Sequence, residues 1–347
     1  MTSTPPLTAA ALTDASTAAI TLRAEGRRRG PRLSLRASFL LRRLGRLIVS
    51  LAVVVIASFL LVHLVPGDPV RAALGVQASP EIVAATRAEL GLDKPIFQQF
   101  LDYVAGLLRG DFGISIRNGR PVADIIAQRF PATVILGVLS FLVALVAALP
   151  VGIGAAVSAQ SGRRRPLDIA ISGVLGALIA IPGFLLAVGL LALFAVQLRW
   201  LPAAGWGDPK DAILPVLALA LGPMAYLARI VQVEMVNVLG MTYMTTARAK
   251  RLPSRLIYLR HSLPNIVTAT LTVGGLLLSG LVAGTVLIET IFAIPGMGAV
   301  MVPAVASKDY PVVQGVVIVY ALIILGVNLI VDVILVTVDP RSSITEG

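Results

Sequence analysis

Six stretches of the chain run apolar for long enough to cross a bilayer, at about 44–64, 132–157, 167–196, 212–233, 265–288 and 311–338. A hydrocarbon core about 30 Å thick needs about 20 such residues when they are helical. Each stretch is nearly free of mid-span charge, which suits a lipid-facing helix better than a helix buried in a soluble core. The third is the longest and holds Pro182-Gly183. Proline removes a backbone donor and clashes with the preceding turn, so a kink is expected there. The polar segment 65–131 separates the first two spans and predicts an amphipathic surface helix at about 80–90 (Glu81, Ile82, Val83, Thr86, Leu90), started by Ser79 and Pro80. Residues 1–37 are rich in Thr, Ala and Pro and then in Arg, and read as a disordered tail. Residues 341–347 form a short tail at the other end. The pattern therefore predicts an all-α polytopic membrane protein with six transmembrane helices.

Composition sharpens this. Of 347 residues, 57% are hydrophobic and 14% charged, with a mean hydropathy of +0.90. A soluble domain of that length has too little interior for so much apolar surface. There is no cysteine, which excludes disulfides and Cys-ligated zinc or iron–sulfur sites. The net charge of +11 would point to nucleic acid in a soluble protein, but here the cations flank apolar spans and fix topology.

Lys and Arg concentrate in alternate short segments. Residues 23–46 carry Arg23, Arg27, Arg28, Arg29, Arg32, Arg36, Arg42, Arg43 and Arg46; 158–166 carry Arg163, Arg164 and Arg165. Residues 237–262 carry Arg248, Lys250, Arg251, Arg255 and Arg260, whereas the opposite short loops hold only Arg199, Lys210 and Lys308. The positive-inside rule then puts both termini in the cytoplasm and 65–131 outside. The first span is too long for a signal-peptide core and lacks a small-x-small cleavage site, so it stays as a helix.

Much chemistry is missing. No Gly-Lys pair occurs anywhere, so the sequence has no P-loop. His63 and His261 fall in loops on opposite faces and cannot share a metal. Neither H-E-x-x-H nor G-x-S-x-G occurs. Asp168, Arg229, Glu234, Glu289 and Asp332 lie nearer span ends than midplane, and a proton-coupled carrier wants a carboxylate at the midplane.

Two segments carry positive information. The first is Tyr243-Met244-Thr245-Thr246-Ala247-Arg248-Ala249-Lys250-Arg251-Leu252, followed by Leu259-Arg260-His261-Ser262-Leu263-Pro264-Asn265. Small residues at Thr246, Ala247 and Ala249 suit close approach of a partner backbone, with Arg248, Lys250 and Arg255 as rim contacts. A plain positive-inside loop would explain the charge of this segment but not its order. The second is Glu289-Thr290-Ile291-Phe292-Ala293-Ile294-Pro295-Gly296-Met297-Gly298, with Lys308-Asp309-Tyr310-Pro311-Val312-Val313-Gln314-Gly315. There Pro-Gly breaks the helix, and Glu289, Phe292, Pro295, Gly296, Asp309 and Tyr310 are candidates for an outer gate or docking rim; a simple turn at the headgroups is the plainer alternative.

Together these segments resemble the permeases of the dipeptide and oligopeptide branch of binding-protein-dependent ABC importers, specifically the first permease of the pair. His63-Leu64-Val65-Pro66-Gly67-Asp68-Pro69 and Gly106-Leu107-Leu108-Arg109-Gly110-Asp111-Phe112-Gly113-Ile114-Ser115 with Arg120-Pro121-Val122 are similar to further motifs of that branch. The resemblance covers about 38–340. It implies the type I importer permease fold in the cytoplasmic membrane of a bacterium. It also implies that 237–264 is the coupling loop, with Tyr243, Thr245 to Leu252, Leu263 and Pro264 docking into an ATPase subunit. The implied partners are a second permease, two ATP-binding subunits and an extracytoplasmic binding protein. ATP and Mg would be held by those ATPases, with no cofactor in this chain.

Peptides are the implied cargo, moved by alternating access, with nickel, glutathione or haem as alternatives within the class. A secondary carrier or an intramembrane enzyme would need intramembrane groups that are lacking. Spans two to five are expected to line the path, with Gly152, Gly154, Gly173, Gly176, Gly274 and Gly275 allowing tight packing. Arg251 departs from the family, which has Gly there; a side chain disfavours φ > 0, so an altered turn set by Pro253 is expected.

Overall fold

A computed structural model describes residues 35–64, 69–75, 78–89, 91–160 and 165–338. Most of the expected tail 1–37, the segment 341–347, Arg163, Arg164, Leu90 and the Val65–Asp68 part of one motif lie outside the described residues. The chain divides into two compact units, Met1–Arg46 and Leu47–Gly347. Of the first unit only the helical turns from Leu35 are described.

Among the described residues the long helices are α1 (Leu35–Leu64), α5 (Val122–Gln160), α8 (Pro209–Leu239), α11 (Leu263–Ile291) and α13 (Tyr310–Val338). Each includes an apolar stretch long enough to span a membrane. Three short helices follow α1: α2 (Pro69–Leu74), α3 (Pro80–Glu89) and α4 (Ile96–Leu108). Ser79 starts α3 as the sequence suggests, its Oγ accepting the N–H of Ile82 at 3.3 Å.

The third span departs from expectation. It is two helices, α6 (Arg165–Ala180) and α7 (Gly183–Leu190), the latter running on as π-helix through Leu191–Gln197. They meet at 105°, far more than a proline kink. Pro182 lies extended at φ −55, ψ 138, so the helix stops and restarts instead of bending. The short helices α9 (Thr242–Ala249), α10 (Ser254–Leu256, continued by a π-turn to Ser262) and α12 (Met297–Ala306) complete the fold.

The core of the second unit is built around α8, which packs on α5, α6, α7 and α11. Its alternate turns bury Ala225, Leu227, Ala228, Val231 and Met235. The tightest approach is to α5, where a Cβ on Gly152 would lie 2.5 Å from the Ala228 carbonyl oxygen; only glycine lets the two backbones meet there. Gly275 likewise seats the Val331 side chain, and Gly274 is in ordinary contact with Phe141. Gly154, Gly173 and Gly176, expected to serve packing too, face open space in this subunit. A second apolar cluster joins Val122 and Ile126 of α5 to Val282 of α11, Met297 of α12 and Val312 and Val316 of α13.

Candidate functional site

The helix α9 is amphipathic on a small scale. Met244 and Ala247, three residues apart, point into a cluster with Ala156 of α5, Met235 and Leu239 of α8, Ile257 and Ile266. Tyr243, Thr245, Thr246, Arg248, Ala249 and Lys250 are exposed. Ala247 was expected among the small residues facing a partner; the 3.6-residue period turns it inward with Met244 instead. The outward face is therefore Tyr243, Thr245, Thr246, Arg248 and Ala249.

The turn after α9 also differs from expectation. Arg251 adopts φ 53, the left-handed conformation that glycine would take without strain. Arg251 N–H donates to the Arg248 carbonyl at 2.9 Å and Leu252 N–H to the Ala247 carbonyl at 3.3 Å. That is the Schellman closure, kept despite the side chain at a cost of about 1–2 kcal/mol. Pro253 starts the next helix from an extended conformation, φ −63 and ψ 140.

Leu263, half-buried, packs against the same cluster as Met244, and Pro264 sits in the first turn of α11, where its missing N–H is harmless. Asn265 ties the loop to that helix: its Nδ2 donates to the Tyr243 hydroxyl at 3.1 Å and to the His261 carbonyl at 2.9 Å. An apolar core and a polar tie thus join α9 to α11.

At the opposite end of α11, Glu289 is fully buried. Its Oε1 accepts the Thr133 hydroxyl at 2.7 Å, and its Oε2 accepts the N–H groups of Gly298 at 2.7 Å and Ala299 at 3.3 Å. Thr133 Oγ1 accepts the Met297 N–H at 2.9 Å. The first turn of α12 is therefore capped by a side chain from another helix. A Cβ on Gly296 or Gly298 would land on the Glu289 carboxylate. The helix ends before Pro295, where Ala293 at φ 52 lets Ile294 N–H reach the Glu289 carbonyl at 2.9 Å. Of the expected rim residues, Glu289, Phe292, Gly296, Asp309 and Tyr310 are buried and Pro295 is exposed. Glu289, Phe292 and Gly296 are packed into the end of α11 and the start of α12, whereas Tyr310 and Asp309 each border a cavity.

Asp309 joins two motifs far apart in sequence. Its oxygens accept the Ser115 hydroxyl at 2.5 Å and the Ile116 N–H at 3.1 Å. Beside this junction lies a cavity of about 400 Å³ lined by Arg117, Arg120, Arg129, Gln128 and Ser307. A second cavity, about 250 Å³, is walled by Phe59, His63, Tyr103, Phe112 and Gln314. Tyr103 shares a 3.3 Å hydrogen bond with Ser58, and burial pushes its phenol above the ordinary value. No cluster of metal-ligating side chains occurs among the described residues.

The family described as "Binding-protein-dependent transport system inner membrane component" matches residues 148–344, and its N-terminal counterpart matches 36–137. The chain belongs to this family of permeases. Such a permease is a multi-pass component of a bacterial inner-membrane ABC importer and not a catalytic chain. It is 37% identical over 304 residues to the glutathione transport system permease protein GsiC of Escherichia coli (strain K12), covering 87% of this chain and 98% of that one. The protein of the same name from Shigella flexneri serotype 5b (strain 8401) matches equally well. The fold is shared with a chain of the inward-facing MetNI methionine ABC transporter, at TM-score 0.55 and 17% identity, over 62% of this permease and 96% of that chain.

Three residues that organise the site show no individual role in the sequence, although Ser115 and Asn265 fall within quoted motifs. Thr133 lies inside an apolar span, Ser115 in a polar loop, and Asn265 just past the segment 237–264. Only their partners 156, 194 and 22 residues away give them a role.

Proposed function

We propose that this permease is half of a peptide-conducting channel, driven by separate ATPase subunits that dock on α9. The carrying observation is the exposed face Tyr243, Thr245, Thr246, Arg248 and Ala249 on a helix whose other face is locked to α5, α8 and α11. A surface that is polar and small outside and rigidly seated inside transmits displacement instead of absorbing it. ATP-driven closure of the ATPases moves α9, and α11 carries the motion to the rim around Glu289. Both termini and α9 are assigned to the cytoplasm by the Lys and Arg bias. A second permease completes the passage, and an extracytoplasmic binding protein delivers cargo at the face bearing Arg117, Arg120 and Arg129.

Glutathione is the second reading of the cargo, favoured by the GsiC relatives. It is itself a short peptide with two free carboxylates, so the readings differ in breadth. Uptake by the reconstituted importer with its own binding protein separates them. Competition of labelled dipeptide and tripeptide uptake by unlabelled peptides supports the broad reading; uptake of glutathione alone supports the narrow one. Uptake of nickel or haem but no peptide overturns both.

A further inference from the structure

The face of α8 opposite its buried stripe differs in composition from the outward stripe of α5. Tyr226, Arg229, Val233 and Val236, spaced three, four and three residues apart, are exposed along one side of the helix. The buried stripe, Ala225, Ala228, Val231, Met235 and Val238, runs along the other. On α5 the corresponding outward stripe is purely aliphatic: Ile135, Val138, Leu142 and Val146. That composition suits lipid, and the α8 stripe does not. Of the five long spanning helices, α8 is also the least apolar.

The 31 residues of α8 extend about 46 Å at 1.5 Å each. Centred on a core about 30 Å thick, this helix runs past the expected span end, so Arg229, ten residues before its end, lies deeper than the sequence suggests, inside the hydrocarbon zone. Arg229 does not reach out to the headgroups. Its guanidinium is held by Ser172 Oγ of α6 at 3.4 Å and Gln232 Oε1 at 3.2 Å. Both partners are neutral, and among the described residues no carboxylate bonds it. Asp168, one turn from Ser172 on α6, is not bonded to it and leaves its own buried Oδ1 without a partner. An arginine at such depth without an anion faces water or a protein cavity, since exposure to lipid costs about 3 kcal/mol or more.

We infer that the Tyr226–Arg229–Val233 face of α8 lines the water-filled passage and that Arg229 is a binding residue for an anionic group of the cargo, a carboxylate in the first instance. The inference rests on the half-channel reading but not on any particular cargo. A guanidinium pinned by two neutral acceptors keeps N–H donors free in the fixed planar fork that matches a carboxylate. Tyr226, one turn away, adds an aromatic wall.

The test uses the assembled transporter in membrane vesicles and needs no cargo. The chain has no cysteine, so a thiol introduced by Val233→Cys, Tyr226→Cys or, as the lipid-facing control, Val138→Cys is the only one in it. Each is treated with an anionic sulfonatoethyl and a cationic trimethylammonioethyl methanethiosulfonate, and labelling of this chain is followed in time. Val233→Cys and Tyr226→Cys should react with both water-soluble reagents, and Val138→Cys with neither. Adding Arg229→Gln to Val233→Cys should lower the anionic-to-cationic rate ratio about tenfold, and Arg229→Lys should preserve it. Inertness of Val233→Cys and Tyr226→Cys to both reagents overturns the passage. An unchanged ratio in an Arg229→Gln complex that still co-assembles overturns the anion role. Failure of peptide uptake, by contrast, bears on the cargo and leaves this labelling pattern standing.

Discussion

Thr133 of α5 and Glu289 of α11 are joined by a 2.7 Å hydrogen bond, and between them they satisfy the first three N–H groups of α12. A helix start buried at the rim has no water to serve it, so this pair decides where α12 sits. Glu289→Ala should lower stability by about 2–4 kcal/mol, because it strands two donors, the N–H groups of Gly298 and Ala299. Thr133→Val should cost about 1–2 kcal/mol. Thermal unfolding in detergent checks both, and a change below the error of the method in Glu289→Ala contradicts the capping role.

Arg251 and Thr246 separate strain from docking. Arg251→Gly relieves a left-handed backbone held against a side chain, and should raise stability by about 1 kcal/mol with coupled ATPase activity intact. An unchanged or lowered melting temperature would show that the Arg251 side chain makes up for the strain elsewhere.

Ala247 and Thr246 are adjacent but face opposite ways. Ala247→Glu places a charge in the cluster of Met235, Met244 and Ile266 and should lower the yield of folded protein. Thr246→Arg leaves that cluster alone and should abolish transport-coupled ATPase activity in a normally folded permease. Size-exclusion profiles and ATPase assays on the two variants give the comparison; full coupling in Thr246→Arg argues against α9 as the docking element.

Asp309 holds the loop around Ser115. Asp309→Ala should free that loop, and limited proteolysis should then cut near 115–120 faster by at least threefold, with the helical core intact.

How much of this was legible depends on range. Long apolar runs announced the spans, since lipid leaves the backbone no choice but helix. The order of residues in 243–264 announced the family, which the match over 148–344 bears out. The inward turn of Ala247 was also readable, from its three-residue spacing to Met244, had the helical period been weighed above residue size. The rim was not. Glu289 looks like a headgroup charge until Thr133, 156 residues earlier, is beside it, and Asp309 is uninformative without Ser115, 194 residues away. The 105° break at Pro182 is likewise a tertiary outcome: proline can end the helix, but only the packing of α6 and α7 on α8 fixes where the chain goes next.

As one half of an ATP-driven channel, this permease should travel with its partner subunits. Purifying the tagged chain in mild detergent and identifying its companions tests that most directly. Recovery of a second homologous permease together with P-loop ATPases, lost on Thr246→Arg, is the predicted result. A chain that purifies alone and moves its cargo across liposomes without ATP would contradict it.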